Sequence, residues 1–81
     1  MNDSGNPAAR IRAIVADVLA LSPDQIDDSA DFVSRYAADS LNLIEIVAQV
    51  EKTYQVILPH DELPQAYTVD ALSDLLARHA V

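Results

Sequence analysis

The 81-residue sequence contains no cysteine and no tryptophan, one glycine and one phenylalanine. Without cysteine there can be no disulfide framework, thiolate metal site or protein thiol nucleophile. Basic residues are also scarce: five Lys and Arg face 13 Asp and Glu, giving a formal net charge of −8. That balance argues against nucleic acid and anionic membrane surfaces, which attract Lys and Arg, and favours partners with basic patches. Long hydrophobic runs are missing too. The longest, residues 13–16 and 18–21, are four residues each, too short to cross a bilayer. The start of the chain lacks the basic and apolar stretches of a signal peptide. A monomer in the cytoplasm is expected. The length allows one domain, with a core near the lower limit of self-sufficiency.

Scarce glycine and 13 alanines point to helices. Residues 1–6 are small and polar and read as a disordered tail ahead of a folded domain at residues 7–81. Asn6 and Pro7 suit the N-cap and first position of a helix. Ile11, Val15, Val18 and Leu19 then recur at helical spacing. Pro23 should end this helix by pushing Ser22 out of the α region. A connector of residues 22–39 follows, acidic and without a strong period. Ile26 and Phe32 should pin it to the core. Loops of this length in small domains are usually functional.

The clearest element runs from Ser40 to Tyr54. Leu43, Ile46, Val47, Val50 and Tyr54 form one apolar stripe, while Leu41, Ile44 and Ala48 form a second. One stripe suffices for a surface helix, so the second is either packed by a neighbour or left for a partner. Residues 56–58 are too short and isolated for a strand. A short helical turn is expected over residues 60–63, cut off near Pro64. Thr68 should cap a last helix carrying Val69, Leu72, Leu75 and Leu76. The expected fold is all-α, a small bundle of three main helices plus one short helix, with a long loop between the first and second.

The catalytic inventory is thin. His60 and His79 are the only histidines; neither is placed to activate a serine, and they form no zinc pattern. Both are expected to be exposed or to serve as caps. Asp27, Asp28 and Asp31 resemble part of a calcium loop, but the turn lacks a glycine and Ala38 falls where the twelfth-position carboxylate belongs. A solvated acidic loop is the better reading, and no metal site is assigned. One constellation stands out. Asp39-Ser40-Leu41 opens the strongest helix, where unpaired backbone N–H groups and the helix dipole favour an anion. Taken alone, that tripeptide is equally compatible with a simple cap.

Over residues 8–79 the chain resembles acyl carrier proteins. The points of resemblance are Asp31-Phe32-Val33, Ala38-Asp39-Ser40-Leu41, Ile44-Glu45-Ile46-Val47, Tyr54, Leu58-Pro59 and Thr68-Val69, in that order. The resemblance implies a non-enzymatic carrier with 4′-phosphopantetheine from coenzyme A attached to Ser40, holding acyl groups as thioesters. It implies a phosphopantetheinyl transferase as partner, together with acyl-loading, acyl-transfer or condensing enzymes. Asp39, Glu45 and Glu51 match positions that meet basic residues on such partners, and Leu41, Ile44 and Ala48 match the apolar contacts beside them. Ile46, Val47, Leu63, Ala66 and Leu72 match the lining of an acyl cavity. Arg35-Tyr36-Ala37 replaces the family's Asp-Leu-Gly, so this turn is expected not to require a positive φ. Asn42 and Lys52 replace positions often acidic in fatty-acid carriers, which favours a free-standing carrier of polyketide or lipopeptide assembly over fatty-acid synthesis. The alternatives are an acidic helical adaptor that makes no chemical use of Ser40, a peptidyl carrier for aminoacyl groups, and a small hydrolase that would need a base near Ser40.

Overall fold

The computed structural model describes residues 7–79. Four α-helices follow in order: α1 (Ala8–Leu19), α2 (Phe32–Tyr36), α3 (Ser40–Tyr54) and α4 (Val69–His79), with single 3₁₀ turns at Pro23–Gln25 and Leu63–Gln65. No strand occurs among the described residues. The expected tail and the Asn6 cap lie outside them. Pro7 directly precedes α1, and its carbonyl accepts the Ile11 N–H at 3.0 Å. At the other end, Ala20 closes α1 in the left-handed conformation, with Ser22 extended before Pro23, as proline demands of the residue preceding it.

The core forms where the apolar stripes meet. Ile11 and Val15 of α1 are buried with Ile46 and Val50 of α3 and with Leu72, Leu75 and Leu76 of α4. The first helix packs against both others. Phe32, Leu58 and Val69 fill the remaining space, and Ile26 is buried with them. The second apolar stripe of α3 is not covered by a neighbour: Leu41 is 71% and Ile44 64% exposed. Thr68 caps α4 as expected, its Oγ1 accepting the Ala71 N–H at 2.9 Å.

The connector is more ordered than its sequence suggests. It holds α2, because Asp31 Oδ1 accepts the N–H groups of Val33 and Ser34 at 2.8 and 3.0 Å. Two backbone bonds tie it to the start of α4: Phe32 N–H to the Tyr67 carbonyl at 2.8 Å and Asp70 N–H to the Asp28 carbonyl at 3.0 Å. Asp28 also receives the Arg12 guanidinium through Nε and Nη2, both at 2.7 Å. The acidic loop is therefore not simply solvated. Asp27 accepts from the Ser29 N–H and hydroxyl, Asp28 is ion-paired and Asp31 caps a helix.

Two expectations need correction. Ala37 does take a positive φ, 57°, as the left-handed residue that closes α2, and its N–H serves the carbonyls of Phe32 and Val33. The alanine tolerates a conformation that glycine reaches without a Cβ clash. The helical turn expected over residues 60–63 is instead hydrogen-bonded turns leading into the 3₁₀ turn at Leu63–Gln65, with Pro64 inside it rather than ending it. Proline fits there because the first positions of a helical turn have N–H groups without an intrahelical acceptor.

Two predictions follow from this geometry. Ala37→Gly should stabilise the fold by about 0.5–1 kcal/mol, read as a raised urea midpoint at unchanged slope. Asp28→Asn should cost about 1 kcal/mol, since the pair is bidentate but partly solvated. Hydrogen bonding to Arg12, foremost, holds the Asp28 carboxyl below its usual range. Because its folded pKa is depressed, its contribution is present above the ordinary carboxylate value and is lost as pH falls through the folded one. Urea titrations from pH 7 downward should show a shallower acid-induced loss in Asp28→Asn than in the natural protein.

Candidate functional site

Ser40 is the first residue of α3. Asp39 and Asn42 fix its position by capping each other: Asp39 Oδ1 accepts the Asn42 N–H at 2.8 Å, and Asn42 Oδ1 accepts the Asp39 N–H at 3.0 Å. This is the reciprocal arrangement of a capping box, with Asn in place of the usual Glu or Gln. It occupies the carboxylate of Asp39 and leaves the serine outside the network. Ser40 is exposed, and its hydroxyl makes no hydrogen bond among the described residues. The N–H groups of Ser40 and Leu41 likewise have no protein acceptor among them, as expected at a helix start.

A cleft of about 390 Å³ runs from Ser40 down α3. One side is a stripe at intervals of three and four residues, Ser40, Leu43, Ile44, Val47, Ala48 and Glu51. The facing wall is His60, Leu63, Pro64 and Tyr67. This wall runs antiparallel to α3. Tyr67 is anchored near the α3 start through its carbonyl, which takes the Phe32 N–H. His60 lies at the far end, its Nε2 3.8 Å from Glu51 Oε2. That same oxygen accepts the buried Leu58 N–H at 2.9 Å, which fixes the carboxylate and the chain leaving α3 together.

The sequence-derived assignments separate cleanly on this frame. Asp39, Leu41, Ile44, Glu45 and Ala48 are exposed along one side of α3. Glu51 continues the row but is only half-buried in character, with its side chain 24% exposed and committed to Leu58. Of the residues expected to line an acyl cavity, Val47 and Leu63 border the cleft, while Ile46, Ala66 and Leu72 are buried in the core and do not. Leu43, Pro64, Tyr67 and His60 border it instead. Leu43 could have been found from its helical spacing to Ser40 and Val47; His60, Pro64 and Tyr67 could not, because their path depends on tertiary contacts.

Among the described residues none is held against Ser40 as a base. His60 borders the same cleft, but it pairs with Glu51, which is eleven residues along the helix from Ser40, about 16 Å at the α-helical rise. His79 stands beside Glu62 at 3.8 Å and does not border the cleft. Among the described residues no cluster of acidic, histidine or cysteine side chains is arranged to hold a metal, and no helix is long and apolar enough to cross a membrane.

Comparison with known proteins agrees with this picture. Residues 9–76 match the family model described as "Phosphopantetheine attachment site". An acyl carrier protein from Zymomonas mobilis is 39% identical over 67 residues, which cover 82% of this chain and 86% of that protein. An exposed, base-free serine at a capped helix start, in a chain matched almost end to end, places this protein in the acyl carrier family, whose prosthetic group is covalent 4′-phosphopantetheine.

Proposed function

We propose that Ser40 is the attachment residue and that the protein holds acyl groups as thioesters for successive biosynthetic enzymes. The observation carrying this reading is the exposed, unengaged hydroxyl at the start of α3. The residues fit the arm. The hydroxyl is accessible to a transferase, and the free N–H groups of Ser40 and Leu41, at the positive end of the helix dipole, suit a phosphodiester. The arm, when bound, supplies the thiol for thioester formation that a chain without cysteine lacks. Ser40 contributes the ester oxygen, the α3 start offsets the phosphate charge, and the Asp39–Asn42 cap keeps that end of the helix wound. The protein adds no bond-making step of its own. It raises the local concentration of a tethered group near its partners.

The docking face in this reading is the exposed side of α3. Leu41 and Ile44 give it an apolar centre, and Asp39 and Glu45 give it acidic margins for enzymes with basic patches: a phosphopantetheinyl transferase, and acyl-loading, acyl-transfer or condensing enzymes. Asn42 and Lys52 make this helix less acidic than is usual for fatty-acid synthesis, which supports polyketide or lipopeptide assembly. The apolar cleft beginning at Ser40 suits the acyl chain.

Incubation with coenzyme A, magnesium and a broad-specificity phosphopantetheinyl transferase should add one phosphopantetheinyl group to the intact mass. Ser40→Ala should abolish that gain while keeping the helical circular-dichroism spectrum. Glu45→Lys should leave stability within about 0.5 kcal/mol. It should slow modification about tenfold at low salt, with the difference narrowing as salt is raised, since exposed interface charges act mainly on encounter. Unchanged kinetics with several partner enzymes would remove Glu45 from the docking face.

A further inference from the structure

The apolar cleft ends on two polar groups. Glu51 and His60 meet there, with His60 Nε2 3.8 Å from Glu51 Oε2. Glu51 is fixed, because the same oxygen accepts the N–H of buried Leu58. The His60 side chain is 75% exposed, so its ring stays open to an incoming group. From Ser40 to Glu51 the helix rises about 16 Å. A phosphopantetheine arm has about fourteen bonds between the serine oxygen and its sulfur, roughly 17 Å when extended. The two lengths agree, so an arm lying along the cleft from Ser40 brings its thiol to the Glu51–His60 pair. Ile44, Ala48 and Pro64 on the rim are exposed, which leaves the amide groups of such an arm in contact with water. The cleft, about 390 Å³, takes one extended chain at a time. That chain is the arm while it carries nothing, or an acyl chain once the arm has withdrawn.

We propose that His60, paired with Glu51, is the proton acceptor for the thiol of the unloaded arm. The proposal rests on the carrier reading above and gives this chain a residue that readies the arm for loading. One proton moves from sulfur to a ring nitrogen of His60, leaving negative charge on the sulfur and positive charge on the imidazole. No other bond forms or breaks. The ionised sulfur is the form that attacks a thioester. A carboxylate alone would oppose that ionisation by like charge. Beside an imidazole it favours the positively charged ring instead, as the aspartate does for the histidine of a serine protease. The other charged groups nearby lie outside the cleft: Asp61 and Glu62 in the same segment, with Arg78 and His79 reaching Glu62 from α4. The chain as a whole carries a net charge of −8, which disfavours a further negative charge on a tethered sulfur. Easier ionisation on this protein than in free pantetheine therefore requires a local acceptor.

The test uses the full chain carrying the unloaded arm, installed by a phosphopantetheinyl transferase from coenzyme A and verified by intact mass. Iodoacetamide alkylates the arm's thiol, the only thiol present because the chain has no cysteine. Intact mass follows the rate across about pH 6 to 10, the range in which thiols ionise, with free pantetheine alongside. Shelter in the cleft changes the plateau rate, whereas a proton acceptor moves the midpoint. The midpoint should lie about one pH unit below that of free pantetheine, the scale of a neighbouring opposite charge. His60→Gln keeps a polar side chain that takes up no proton, so the midpoint should rise to that of free pantetheine or above it. His79→Ala, at the other histidine, should leave it low. A midpoint at or above free pantetheine's on the natural protein would overturn the proposal and leave the carrier reading standing. So would a low midpoint that survives in His60→Gln with an unchanged helical circular-dichroism spectrum. A chain that gains no mass would overturn the carrier reading, and the role of His60 with it.

Discussion

The reciprocal cap between Asp39 and Asn42 is the interaction on which the site depends. A helix start carries donors that must be satisfied, and Ser is among the residues best suited to satisfy them. Here the neighbouring aspartate does so with the help of an asparagine one turn along, so the serine hydroxyl stays out of the helix's own bonding. Had the cap moved one residue, Ser40 would have become a structural group and its oxygen would have been occupied. The same cap fixes the first turn of α3 and therefore the direction in which the rest of the stripe faces.

That helix serves two surfaces at once. Its buried stripe of Ile46, Val47 and Val50 holds it against α1, while Leu41 and Ile44 remain exposed. Exposed apolar residues carry a solubility cost that a small acidic chain tolerates through its net charge of −8, since self-repulsion opposes association. The connector before α3 is ordered by a different device. Phe32 is buried, its N–H is bound to the Tyr67 carbonyl, and Asp28 is clamped by Arg12. Together these bring the end of the connector, the start of α3 and the start of α4 to one end of the bundle.

Much of this was legible in the residues. The periods of α1, α3 and α4, the cap at Thr68 and the anchoring of Ile26 and Phe32 follow from spacing and hydrophobicity, because each depends on local geometry and burial. The serine could be located by its place before the strongest helix. What escaped was set by tertiary contacts. The five residues of α2 are too few for a hydrophobic period to show, and Asp31 looked like one more acidic loop residue rather than its cap. The positive φ of Ala37 was masked by the absence of the glycine that usually signals it. Ile46, Ala66 and Leu72 are buried and do not border the cleft beside Ser40, whose far wall is set by the path of the facing chain.

That facing chain has a further consequence. Between the end of α3 and the Tyr67 carbonyl that holds Phe32, residues 55–66 make only short-range backbone bonds among the described residues, with longer attachments through the buried Leu58, Leu63 and Ala66 and through side chains, Glu51 at one point and Arg78 reaching Glu62 at 3.4 Å at another. Such a segment yields at a fraction of the free energy needed to unfold the helices around it. The protein thus has a more loosely tied flank beside a rigid one, and residues 55–66 can open locally while α1, α3 and α4 keep their mutual packing.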